Sequence, residues 1–558
     1  MGDAGPQNSM FPKVPLALPL GKANIVPAGD PHAVSVSLPT WDAVIGLSRK
    51  ETWVMDTLEW SYPRFYINKP VKDLCNAVLQ RLRITDGNIG CMIFPSPRAA
   101  LQLSEILEND PVDSPYIVDV IRFSMHPESD AAPNWASFSA VLFPLDLLKQ
   151  AMGFWRDTGT GISTRHAEFC LSQFDYLVSD SATTKTFCAV AARKRPSPLA
   201  EIPSAAAEEL KSVIAGLATG QLAVSPDDVF LYPNGMNAIY ALSETLASLA
   251  TESNVAAYGW IYPETIEVLR RSPWATRLFY KNGTEDELDH LERELESGLK
   301  LHALFTELPS NIKLSSPNLA RIRALADRYG FIVACDDTVA GYVNIDAIPY
   351  VDVMMSSLTK TFSGYSNVTG GSLVLNPSSV HHDKIHAAVS AAYENTYFPL
   401  DVDTLLVNCR NIAWRVARCN ENTLPVVDLL RKHPLVAQVN HPSIGPTAPL
   451  YKSLMRKDGG YGNVLSIIFH APIRAEYFYN VLNVCKGSSF GTNFTLAIPY
   501  VQLANYWQRD KVPKYGVPQH IIRLSVGLED SEQIVSVVAA ALEETDNWKG
   551  TSCVACKP

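Results

Sequence analysis

Between residues 229 and 355 the chain alternates short apolar, β-branched runs with stretches of helical spacing, and this alternation limits its fold more than anything else in it. The runs fall at 229–232, 255–257, 301–305, 331–335 and 351–355. Runs of this kind suit strands buried on both faces of a parallel sheet, where helices cover each side. Helical patterns at 205–217 and 236–249 alternate with them. A third opens at Pro317, a residue suited to a first helical turn, and closes near Gly330. The expectation is α/β: a doubly wound, mostly parallel large domain over 205–385. Apolar runs at 464–469 and 521–526 point to a smaller C-terminal α/β domain over 386–550. Residues 1–204 read as an N-terminal arm and extension. Residues 1–40 are rich in Pro and Gly, 71–200 mix helical and extended patterns without a catalytic motif, and Pro196-Ser197-Pro198 reads as a linker.

Composition narrows the function. Of 558 residues, 47% are hydrophobic and 19% charged, ordinary for a soluble globular protein. A net charge of −10 argues against a nucleic-acid surface, which needs clustered cations. No apolar run approaches the roughly 20 residues that cross a bilayer. Pro6, Pro12, Pro15 and Pro19 interrupt any signal-peptide core, so a cytoplasmic location is expected, with neither membrane nor nucleic-acid partners. The ten cysteines are scattered. Only Cys553 and Cys556 form a C-x-x-C pair, in a polar tail without a partner pair, and no metal site is expected.

Four segments carry the chemistry. Ser357-Leu358-Thr359-Lys360 follows the last apolar run. A lysine at the end of a buried strand is costly unless neutral or covalently used, and lysine nucleophiles work in dry pockets with a lowered pKa. The hydroxyls of Ser357 and Thr359 could bind phosphate. Asp336-Asp337-Thr338 ends the preceding run, where ligand crevices of open α/β sheets lie. One carboxylate there could keep a pyridine nitrogen protonated. Asn234-Gly235-Met236 joins a strand to a helix, and its backbone N–H groups suit a phosphate. Glu307-Leu308-Pro309-Ser310-Asn311 follows another strand and offers an Asn for a cofactor hydroxyl and a substrate carboxylate. Singly, the lysine and aspartate segments read more readily as a surface lysine and a helix cap or surface turn, the third equally well as an ordinary βα turn, and the fourth also as a polar loop.

In this order the four segments resemble the Cys/Met-metabolism family of pyridoxal-5′-phosphate (PLP) enzymes, fold type I, over about 205–545. The resemblance implies that Lys360 forms a Schiff base with PLP and shuttles protons, and that Asp336 pairs with the pyridinium nitrogen. It implies that Gly235, Met236, Ser357 and Thr359 hold the phosphate, with Thr338 also at the cofactor. Asn311 would touch the ring hydroxyl and the substrate. Ser489-Phe490-Gly491-Thr492 and Arg523-Leu524-Ser525-Val526-Gly527-Leu528-Glu529 match two further family segments. There Ser489 would meet the substrate and Arg523 would grip its α-carboxylate as a planar fork. Tyr262 is expected to stack on the ring, with Tyr258 as rival. Tyr62-Pro63-Arg64 resembles the family's Y-x-R, which implies a homodimer or homotetramer with Tyr62 and Arg64 reaching across the interface.

The chain also departs from the family. Gly364-Tyr365-Ser366-Asn367 stands where the family has Gly-His-Ser-Asp, Asp337 where it has Asn, and a long insertion separates Tyr62 from Gly235. The insertion, the run from Pro31 to Trp41 and the segment Lys360-Thr361-Phe362-Ser363-Gly364 are similar to long fungal cystathionine γ-synthases, some from secondary metabolism. The activity so implied is γ-substitution on an O-acylhomoserine, with cysteine or a carbon nucleophile. A cystathionine β- or γ-lyase, an O-acetylhomoserine sulfhydrylase and, remotely, an inactive interaction subunit are the alternatives.

Overall fold

The computed structural model describes residues 12–25, 32–109, 118–125, 134–181, 205–251 and 253–550. The proline linker at 196–198, Cys553 and Cys556 lie outside them. Three sheets organise the described chain.

The first belongs to the extension: β1 (Ile89–Phe94), β2 (Asp119–Ser124), β3 (Phe138–Pro144) and β4 (Val178–Ser181), antiparallel in the order β1-β3-β2-β4. The helices Lys69–Arg81, Pro97–Glu108, Leu148–Thr158 and Thr164–Gln173 surround it. They close a core of their own around Phe94, Phe123, Phe138, Phe154 and Trp155.

The second sheet comprises β5 (Val229–Tyr232), β6 (Asn254–Tyr258), β7 (Thr276–Tyr280), β8 (Ala303–Glu307), β9 (Ile332–Asp336), β10 (Val353–Ser356) and β11 (Gly371–Leu375). Its order is β5-β11-β10-β9-β8-β6-β7. From β10 through β7 every neighbouring pair is parallel, and β11 runs antiparallel to both its neighbours. β8 and β9 are buried at every position, as helices on both faces require. Register sets Glu307 beside Asp336 and Asp336 beside Met355, so the strand ends converge on one edge of the sheet.

The helix expected to open at Pro317 begins two residues later, as Leu319–Tyr329. Asn318 takes the N-cap, its side chain accepting from the Arg321 N–H at 3.1 Å, a role that proline cannot fill. Gly330 closes this helix with φ +77°.

The third sheet, in the last third of the chain, contains β12 (Val436–Asn440), β13 (Val464–Phe469), β14 (Cys485–Lys486), β15 (Leu496–Pro499) and β16 (Ile522–Ser525). Its order is β12-β13-β16-β15-β14, antiparallel except for β14 with β15.

The arm lies along this unit. Thr40 caps the helix Trp41–Arg49 by accepting from Ala43 N at 3.2 Å. Trp41 N donates to Asn480 Oδ1 at 2.8 Å, and the Tyr479 hydroxyl donates to the Leu38 carbonyl at 2.7 Å. Among the described residues no helix is long and apolar enough to cross a membrane.

Candidate active site

A cavity of about 1010 Å³ opens at the carboxyl ends of β5, β8, β9 and β10, between the central and third sheets. Lys360, in the turn after β10, points into it. Its Nζ lies 3.2 Å from the Tyr62 hydroxyl and 3.0 Å from Ser489 Oγ, 4.4 Å above the Tyr62 ring and 5.4 Å from that of Phe490. Burial, reinforced by Arg523 and Arg64, outweighs Tyr62 and lowers the pKa of this amine. Burial alone would raise the Tyr62 phenol, but Lys360 and Arg64 overcome it and hold the group below its usual value.

Asp336 ends β9 and lines the cavity. Its Oδ1 accepts from the Thr338 N–H at 2.9 Å and hydroxyl at 2.5 Å, which fixes the carboxylate and leaves Oδ2 for a donor in the cavity. Thr338 also accepts from Ser357 N at 2.8 Å, tying this carboxylate to the turn that carries Lys360. Asp337 faces away: it is fully buried, its Oδ2 accepts from Tyr342 N at 3.1 Å, and burial pushes its pKa up to about 7.

The helix Gly235–Ser248 aims its N-terminus at the cavity, and Asn234 caps it by accepting from Asn237 N at 3.0 Å. As the first two helical residues, Gly235 and Met236 have backbone N–H groups with no acceptor inside the helix. Ser357 lines the cavity beside them. A Cβ on Gly235 would stand 2.7 Å from Ser357 Cβ, so only glycine permits this approach. Thr359 is buried just before Lys360, and its hydroxyl accepts from Gly370 N at 3.1 Å.

Tyr262 lines the cavity, whereas Tyr258 sits in the core with its hydroxyl on the Thr284 carbonyl at 3.0 Å. Glu307, quoted in the sequence motif without a role, places two walls at once. One oxygen accepts from Tyr262 N at 2.7 Å and the other from Asn311 N at 2.5 Å. Burial and the adjacent Asp336 raise its pKa well above the usual carboxylate value. An acid at the carboxyl end of a core strand was the signal that could have found it.

Arg523, on β16, donates Nη1 to Asn311 Oδ1 at 3.0 Å and Nη2 to the Ser489 carbonyl at 2.6 Å. Its guanidinium lies 4.9 Å from the Phe490 ring and 5.4 Å from that of Tyr500, and burial lowers its pKa to about 10. Phe490, quoted within a family segment without a role, also lines the cavity, as do Tyr500 and Glu264, which no sequence pattern singled out.

Tyr62 and Arg64 were expected to reach a neighbouring subunit, and here they stand in the site of their own chain. Arg64 Nη2 donates to the Tyr262 hydroxyl and Nη1 to the Arg156 carbonyl, both at 2.8 Å. The helix Leu148–Thr158 of the inserted unit packs beside the site and supplies that carbonyl.

These residues fit PLP: an amine of lowered pKa, an anchored carboxylate with a free oxygen, unpaired helix-start N–H groups and an aromatic wall. Together with the sheet order they define the class, a PLP-dependent enzyme of fold type I. Similarity to known proteins goes further. The chain belongs to the Cys/Met metabolism PLP-dependent enzymes, whose family pattern matches residues 204–543; that of the fungal trans-sulfuration enzyme N-terminal domain matches 70–163. It is 42% identical to a cystathionine gamma-synthase-like protein of Aspergillus thermomutatus, over 98% of this chain and 99% of that one. It is 30% identical to the cystathionine gamma-synthase of Neurospora crassa, over 93% and 97% of the two chains. An alanine racemase of Aspergillus violaceofuscus is also 30% identical, over 95% and 97%. Among solved structures, cystathionine gamma synthase from Xanthomonas oryzae superposes with a TM-score of 0.54 at 19% identity, covering 63% of this chain and 89% of that one, which reflects the shared fold.

Proposed function

We propose that the chain catalyses γ-substitution on an O-acylhomoserine, joining the amino acid to a second, nucleophilic substrate. The observation that carries this reading is the size and openness of the cavity. At about 1010 Å³ it is at the upper end of ligand pockets, leaving room for a co-substrate beside the cofactor and amino acid. Bound PLP supplies an electron sink for charge developing at the substrate's α-carbon. Everything else falls to the chain. Arg523 binds the α-carboxylate as a fork, with Asn311 setting the angle of its Nη1. Lys360 removes the α-proton and moves a second proton from the β-carbon, so that the acyloxy group leaves the γ-carbon as the carboxylate; once the nucleophile has taken its place, protons return to the β- and α-carbons. The hydroxyls of Tyr62 and Ser489 hold the Lys360 amine at the start of this transfer. Asp336 keeps its partner nitrogen protonated.

The racemase among the relatives supports a second reading, in which Lys360 moves protons at the α-carbon only. Purified enzyme is offered O-acetylhomoserine with cysteine, with sulfide and with a carbon acid, and separately cystathionine and L-alanine. Products are identified by mass and by chiral separation. Fastest formation of a 2-aminobutyrate that carries the nucleophile on its γ-carbon, with release of acetate, is expected. Fastest release of 2-oxobutyrate or pyruvate from cystathionine would establish a lyase instead, and D-alanine formation the racemase. Lys360→Ala is expected to abolish all of them.

A further inference from the structure

Tyr62 and Arg64 are delivered to the cavity by a path that never leaves the chain. Upstream, Leu38 N donates to the Lys486 carbonyl at 3.0 Å and Ser48 Oγ to the Gln502 carbonyl at 2.6 Å, which pins the arm to the third sheet's unit. Downstream, the Asn68 side chain brackets Ser61, donating to its carbonyl at 3.1 Å and accepting its N–H at 3.0 Å. The inserted unit then grips the segment from the far side. Trp155 Nε1 donates to the Pro63 carbonyl at 3.0 Å, and the Arg156 carbonyl accepts from Arg64. The same unit touches the start of the phosphate-facing helix, where Asn234 Nδ2 donates to the Gly159 carbonyl at 2.7 Å. Gly159 has φ +63°, and a Cβ there would fall 2.1 Å from Asn234 Oδ1, so the close approach demands glycine. An ion pair between Asp157 and Arg271, 2.8 Å, fastens the unit to the central domain.

We propose that the inserted unit completes the cofactor site in cis, filling the place beside the phosphate side that a neighbouring subunit would otherwise occupy, so that each chain is its own catalytic unit. A unit that merely added stability would have no reason to engage Pro63 and Arg64 on one side and Asn234 on the other. Arg64 is left 5% exposed with both terminal nitrogens bonded, already satisfied and screened by its own chain. Trp155 and Gly159 act here as positioning residues.

Chains carrying Arg64→Ala and chains carrying Lys360→Ala, each with a different affinity tag, are co-expressed, and species bearing both tags are purified. PLP is titrated while the visible absorbance of lysine-bound cofactor is followed, and turnover is measured at saturation. With cis completion every site keeps one defect, so no site of wild-type affinity and no recovered turnover is expected. A tight site in about half of the chains, with recovered turnover, overturns the proposal, since it requires Arg64 to act on a neighbour. If no doubly tagged species forms, wild-type protein sedimenting as a single chain is expected to keep its visible band on dilution, and loss of the band from that species overturns the proposal. Trp155→Phe, which removes only the hydrogen bond to Pro63, is expected to weaken PLP binding roughly fivefold while leaving the substrate KM at saturating PLP unchanged. Unaltered PLP affinity in this variant would remove the inserted unit from the cofactor site.

Discussion

Glu307 and Asp336 lie side by side at the ends of adjacent strands, two buried carboxyls with no cation between them among their hydrogen-bond partners. Burial raises both pKa values, and Asp336 adds to the rise at Glu307. A folded pKa above the unfolded one means that the stabilising contribution is complete below the unfolded value and is lost as pH climbs through the folded one. The cofactor-free protein is therefore expected to melt at progressively lower temperature as pH rises above the ordinary glutamate value of 4.5. Glu307→Gln should flatten that slope in a calorimetric series, and an unchanged slope would exclude the pair as its source. The two aspartates should separate by readout. Asp336→Asn is expected to lower kcat on the order of 10²-fold or more, because the carboxylate that keeps the cofactor's ring nitrogen protonated is lost. Asp337→Asn, buried away from the cavity on Tyr342 N, is expected to act on stability instead.

Among the elements, the helix Gly235–Ser248 links sequence to site most tightly, since its first two residues face the cavity while the rest packs under the sheet. Gly235→Ala is expected to weaken PLP binding roughly tenfold or more, because the methyl must push Ser357 off the other side of the phosphate site. Spectroscopic titration measures this, and wild-type affinity would show that the two sides are free to separate. The central strands were legible because their apolar runs have no other use. Their ends were not: the run at 301–305 stops short of Thr306 and Glu307, the polar residues that complete β8, of which Glu307 lines the cavity and Thr306 donates to the Tyr258 carbonyl at 3.0 Å. Function thus hides the strand boundary where it matters most. Two strands left no clear trace. β7 lies at the sheet edge, exposed at Thr276, and β11 opens on Gly371 and runs against the parallel pattern.

At the scale of the whole molecule, the motif residues of the large domain were legible because each is a chemical necessity in a fixed order. The extension was not, since its antiparallel sheet carries a core without a reacting group and its short strands alternate with amphipathic helices. Nor could spacing reveal whose site Tyr62 enters. The contacts of Trp155 and Gly159, on which the proposed cis arrangement rests, pair residues far apart in the chain. The lysine amine of this site touches one hydroxyl from residue 62 and another from residue 489, and the buried guanidinium comes later still, at residue 523. On the ribosome the first wall of the cavity emerges near the beginning of synthesis and the last near its end. A nascent chain can fold its extension and its central sheet early, but it cannot assemble the pocket until almost all of it has been made. The cavity is thereby complete only once residue 523 has been made, and a chain cut short before Arg523 would leave Lys360 beside an unfinished wall.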